Sequence, residues 1–136
     1  MSRVLVAAIV AIALAGCITT ADQNRAFQPL PTEGAPLAYK DVIARARALA
    51  TAATEAFYID QWPDVVKAAT SLEETGQYLP RSAEVPPARK ASLDARSDEL
   101  VKEAQALRDA AKAKDEKKTN ASMQKINLLV RELRPE

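Results

Sequence analysis

The sequence predicts an all-α protein whose folded part is an antiparallel four-helix bundle. Three observations predict it. Between residues 37 and 136, four stretches repeat apolar or small side chains at steps of three and four, the period of one helix face. No window alternates apolar and polar residues for more than a few positions, so there is no pattern on which strands would form. The prolines fall outside these stretches or in their first turn and not deeper inside them.

The first helix begins near Leu37, with Tyr39, Val42, Ala46, Leu49, Ala53 and Phe57 on one face. The second starts around Trp62, where Asp60 is placed to cap it and Pro63 falls in the first turn, where a missing N–H costs nothing. Its stripe is Trp62, Val65, Ala69, Leu72, Gly76 and Leu79. Pro80, Pro86 and Pro87 mark the longest connection. The third helix carries Leu93, Ser97, Leu100, Ala104, Leu107 and Ala111, and the fourth, capped by Asp115, carries Thr119, Met123, Ile126, Val130 and Leu133. Three of these stripes alternate three and four strictly, the spacing that packs helices at about 20° in left-handed bundles. Short connections after Phe57 and Ala113 make two antiparallel hairpins. The first hairpin is acidic and the second basic, which modestly favours their docking.

Composition excludes several chemistries. There is no His, hence no histidine base and no imidazole ligand for a metal or haem. A single Cys cannot form an intramolecular disulfide, a redox pair or a multi-thiolate metal site. Three glycines cannot build a phosphate loop, and no Gly-x-Ser-x-Gly or Ser-x-x-Lys motif places a nucleophile beside a base. The expectation is a non-enzyme without a cofactor.

The N-terminus has the form of a targeting signal. Arg3 precedes eleven uncharged residues, Val4 to Leu14, too few for the roughly 20 that span a bilayer and right for a signal-peptide core. Leu14-Ala15-Gly16-Cys17 resembles the lipobox of bacterial lipoproteins, in which the cysteine is acylated and becomes the first residue of the mature chain. The resemblance implies a signal peptide at residues 1–16 and lipidation at Cys17. Ile18 follows, not the Asp that holds lipoproteins in the inner membrane of enteric bacteria, so the implied location is an outer membrane facing the periplasm. Loss of Arg3 leaves equal numbers of basic and acidic residues, and a neutral domain lacks the charge for nucleic-acid binding. Residues 17–36, with Pro29, Pro31, Gly34 and Pro36, read as an acylated Cys and a flexible tether. It would span on the order of 25 Å and let the domain stand clear of the lipid.

Leu100 to Arg134 resembles the C-terminal hairpin of cytochrome c′, a four-helix bundle exported to the periplasm. In that family the closing helix carries Cys-x-x-Cys-His. Here the position reads Val130-Arg131-Glu132-Leu133-Arg134, without either cysteine or the histidine, so no haem-site residue carries over. The Phe57-Tyr58-Ile59-Asp60-Gln61-Trp62 segment and the Ala-Lys-Asp junction at 113–115 are similar to small secreted or lipid-anchored proteins of planctomycete type.

Three features are candidates for chemistry. Phe57, Tyr58 and Trp62 gather half of the six aromatics at one junction, as a ligand pocket or, on the simpler reading, a packed staple with Trp62 buried. Glu73, Glu74, Asp60 and Asp64 form either an acidic metal site or solvated helix charge, and the absence of Glu-x-x-His pairs favours the latter. Lys112, Lys114, Lys117 and Lys118 surround Asp115 in a basic turn, to touch anionic lipid or polysaccharide or simply to be solvated. Two functions are expected in order: a lipid-anchored module that binds an envelope protein or a small ligand, and a cytochrome-derived electron-transfer protein holding haem non-covalently through Met123 or a tyrosine.

Overall fold

The computed structural model describes residues 20–135, and Cys17 with the signal-like segment lies outside them. The described chain is all-helical: α1 (Thr20–Ala26), α2 (Tyr39–Tyr58), α3 (Trp62–Tyr78), α4 (Pro87–Lys90), α5 (Leu93–Lys112) and α6 (Glu116–Glu132), with a 3-10 turn at Leu79–Arg81. Among the described residues there is no strand, only an isolated bridge between Ala38 and Ala83.

The four long helices pack in a ring, α2 on α3, α3 on α5, α5 on α6 and α6 back on α2. Named contacts fix their directions. Arg108 and Gln105 reach Glu73, while Gly76 faces Leu100 and Val101, so α3 and α5 are antiparallel. Lys125 meets Glu103 at 3.3 Å and Arg96 meets Glu132 at 3.1 Å, so α5 and α6 are too. The Tyr39 hydroxyl donates to the Leu133 carbonyl at 2.5 Å, joining the start of α2 to the end of α6. Two ends result. The turn end holds the α2–α3 and α5–α6 turns. The cap end holds the 3-10 turn, α4 and the remaining helix termini.

The core follows the stripes. Val42, Ala46, Leu49, Ala53, Val65, Ala69, Leu72, Leu100, Ala104, Leu107, Met123, Ile126 and Val130 are all buried. Their burial is the main stabilising term, at about 25 cal/mol per Å² of apolar surface. A second apolar cluster closes the cap end, with Tyr39, Ile43, Tyr78, Leu79, Leu93 and Leu133. At Gly76 α3 and α5 approach closely: a Cβ there would lie 2.9 Å from Val101 Cγ2 and 3.3 Å from its backbone nitrogen. Thr119 takes a stripe position, and its buried hydroxyl has no partner among the described residues.

The structure departs from the sequence reading at three places. Residues 20–26, expected within a tether, form α1, which lies on α2 with Ala26 only 3% exposed. The physical reason is a second small-residue face on α2, Ala48, Ala52 and Ala56 at steps of four, against which α1 docks, while Ala44, next in the series, stays exposed. Helix α2 begins at Tyr39 rather than Leu37 because Leu37 is engaged elsewhere: its N–H donates to the Tyr78 hydroxyl at 2.9 Å, and its carbonyl accepts from Ala83 at 2.8 Å.

The third departure is at Asp60, which does not cap α3. The residue before Trp62 is Gln61, with no side-chain cap bond, and Asp60 sits at φ 57° as the left-handed terminator of α2. Gln61 N–H donates to Ala56 and Asp60 N–H to Phe57, the paired bonds of a Schellman motif. Lys114 does the same after α5, at φ 52°, with Asp115 N–H on Ala110 and its own on Ala111. Asp115 does cap α6, accepting from Lys118 N–H at 3.0 Å.

Candidate functional site

Of the three aromatics expected to cluster, the structure stacks Phe57 edge-on against Trp62, centroids 5.6 Å apart at 84°, and against Tyr58 at 5.8 Å. Phe57 and Trp62 are half-buried and pack on the main core, so the site acts as a plug on the turn end. Trp62 is not fully buried as the staple reading has it. Tyr58 points away, 76% exposed, and Ile59 beside it is 67% exposed. Neither of the two hollows described below is lined by Tyr58 or Trp62.

The carboxylates do not converge. Glu73 lies in the middle of α3, its side chain 13% exposed, and accepts from Arg108 and, at 2.8 Å, from Gln105. This ion pair joins the acidic hairpin to the basic one. Asp60 and Asp64 are exposed at the turn end, more than two helical turns away from it. Among the described residues no group of three or more acidic or thiol side chains is placed to hold a metal. The four lysines of the α5–α6 turn are exposed, with Lys118 3.5 Å from Asp115. The Lys118 N–H beside Asp115 is the main reason its carboxyl is held below the usual aspartate range.

The haem ligands considered from the sequence are Met123 and the tyrosines. Met123 is buried among Leu107, Ile126 and Val130, and neither hollow touches it. Tyr39 spends its hydroxyl on Leu133, and burial pushes its pKa up against the opposing charge of Arg89. Tyr78 accepts from Leu37.

The sequence reading missed a hollow beside α1. A cleft of about 670 Å³ opens between α1, the Pro29–Pro31 segment and α2. Ala26, Leu30, Leu37, Ala44 and Ala48 make its apolar lining, and Asp22, Arg25, Asp41, Arg45 and Arg47 bring charge of both signs. Arg45 is the fixed member. Its Nε donates to Thr75 Oγ1 at 3.0 Å, its terminal nitrogen donates to the Gln28 carbonyl at 2.5 Å, and burial lowers its pKa against the opposing effect of Glu74. The visible signal for it was Arg45-Ala46-Arg47, two cations flanking a core alanine on a helix whose outer face is itself alanine-rich. A smaller hollow of about 230 Å³ on the other side of α1 is lined by Gln23, Phe27, Glu55, Ile59 and Lys67.

Comparison with family models, curated proteins and solved structures gives no match.

Proposed function

We propose that the chain is a lipid-anchored protein of the cell envelope, held by acyl chains on Cys17, that acts as a non-enzymatic binding module. One observation carries the reading: the single cysteine of the sequence stands three residues past the end of the eleven-residue uncharged run Val4 to Leu14, in Leu14-Ala15-Gly16-Cys17, with a basic residue before the run. Acyl chains contribute about 0.8 kcal/mol per buried methylene, and two or more hold a protein stably. Ile18 after the cysteine supports an outer membrane, with the domain in the periplasm.

The folded part is read as an antiparallel four-helix bundle with a cytochrome c′-like layout. The ring order of α2, α3, α5 and α6 and their antiparallel contacts support it. The layout is all that is taken from the resemblance, since the haem motif is replaced by buried Val130 and Leu133 and exposed Arg131, Glu132 and Arg134. The cleft beside α1 is the ligand site best supported by geometry, suited to a small molecule or peptide with an apolar body and charged ends.

Expression in a lipoprotein-processing host with a radiolabelled fatty acid tests the anchor. The wild type is expected to carry label and to sediment with membranes, and Cys17→Ser to do neither. Equal labelling or equal sedimentation of the two overturns it.

A further inference from the structure

We propose that the turn end of the helices is a membrane-contact face, which lays Tyr58 and Ile59 into the headgroup layer of a zwitterionic phospholipid surface. This rests on the reading that Cys17 is acylated.

The direction of α1 places the anchor at this end. Gln23 Nε2 donates to Glu55 near the end of α2 at 2.8 Å, while Gln28 meets Arg45 a good way back along the same helix, so α1 runs antiparallel to α2 with its first residue toward the turn end. Gln23 and Ile59 line one hollow. Thr20 is less than one turn further on, and Cys17 precedes it by three residues, which extend at most about 11 Å. The docked α1 thus replaces the long spacer with a short one.

What the turn end offers fits that neighbour. Three large apolar side chains are exposed in the described chain, and two of them, Tyr58 and Ile59, sit side by side at the tip of the α2–α3 turn. Tyrosine and isoleucine are suited to the interfacial layer, where an aromatic ring with a polar tip is favoured. Two side chains are too few to bind a free protein to lipid. With acyl chains already inserted the contact becomes intramolecular, and it only has to orient the domain.

Charge selects the lipid class. Lys112, Lys114, Lys117 and Lys118 face this end together with Asp60, Asp64, Asp115 and Glu116, and Lys67 is held over the Phe27 ring at 4.8 Å. With Asp22, Glu55 and Asp109, which lie within about one turn of this end, the face carries seven acidic against five basic groups, so it gains nothing from anionic lipid, and its contact with zwitterionic lipid does not depend on low salt.

Trp62, the single tryptophan, reports on this face from its place beside Phe57. The experiment puts the acylated full-length protein in phosphatidylcholine vesicles brominated close to the glycerol, with flotation and Trp62 fluorescence read together. Wild type is expected to float and to be quenched equally in low and high salt. Tyr58→Asp with Ile59→Asp should float equally and lose most of the quenching. A reporter moved to the cap end, Trp62→Phe with Lys90→Trp, should float unquenched. A floating wild type without quenching, a double variant quenched like wild type, or a cap-end reporter quenched as strongly overturns the contact face while leaving the anchor intact. A wild type that neither floats nor carries acyl mass on Cys17 overturns both readings.

Discussion

The α3–α5 interface and the α1–α2 interface are both helix on helix, yet they hold for different reasons. In the first, Val65, Ala69 and Leu72 meet Leu100, Ala104 and Leu107, all fully buried, and Gly76 brings the backbones close. Glu73, Arg108 and Gln105 add a polar lock that is mostly screened from water. Each helix is long enough to present five or six apolar positions. In the second, a seven-residue helix presents Ala26, with Phe27 just beyond it, to an alanine surface, and its polar contacts are the exposed Gln23–Glu55 pair and the Arg45–Gln28 bond. A helix of that length is not stable alone in water, since isolated helices below about 12 residues are marginal. It exists because it is docked. Removing α1 costs only its docking energy, whereas removing α5 removes the fold.

The largest expected effect breaks the first interface. Leu107→Asp puts an unpaired carboxylate at a position with no exposure, a loss of several kcal/mol against a total stability near 5–15 kcal/mol. Circular dichroism of the variant should show an unfolded or molten chain. Native-like helicity and melting would mean the α3–α5 contact is not what holds the domain. Gly76→Ala is a milder strain on the same contact. Alanine favours the helix by about 1 kcal/mol, but the added methyl meets stiff Val101 and its backbone, an overpacking that costs about 1–3 kcal/mol. The urea midpoint should fall, and a rise would show that α3 and α5 separate easily.

The smallest global effect is expected at the arm. Ala26→Asp also buries a charge, but α1 can leave, so the cost is capped at the docking energy. The melting midpoint should shift slightly, while amide exchange and proteolysis within residues 20–37 accelerate strongly. A loss of stability as large as that of Leu107→Asp would mean the arm is an integral part of the core.

The same contrast explains what was legible in the sequence. Every position of the α5 and α6 stripes is buried, as are the α2 and α3 stripes apart from the half-buried Phe57 and Trp62, because long repeats at three and four leave one solution for the apolar face. Asp115 was legible as a cap because an aspartate before a helix has one common use. Asp60 looked the same and serves as a left-handed terminator instead, a place where glycine is the usual signal and an aspartate or lysine gives none. The α1 arm and its cleft were hidden for a different reason. Their partner surface, Ala44, Ala48, Ala52 and Ala56, runs beside the main stripe, and alanine at steps of four is as compatible with a solvated helix as with a covered one. Nothing in Thr20 to Ala26 has the period or length to announce a helix. At Phe57, Tyr58 and Trp62 the ring packing that separates a half-buried plug from an exposed tip depends on the turn geometry, which residue spacing does not announce.

The bridge between Ala38 and Ala83 gives the arm a mechanical meaning. Tyr39 N–H on Ala83 and Ala83 N–H on Leu37 fasten the chain to the loop ahead of α5 just where α2 begins. Everything from Thr20 to Leu37 precedes that fastening in the chain. If the chain is anchored through Cys17 as proposed, a pull on the anchor would peel α1 first, and those eighteen residues, drawn out, would span about 60 Å. On the proposed anchoring the docked arm is a coiled leash: wound, it would seat the domain on the bilayer, and paid out, it would let the domain stand off at the cost of the contacts of Ala26, Phe27, Leu30 and Leu37, while the four long helices stay packed.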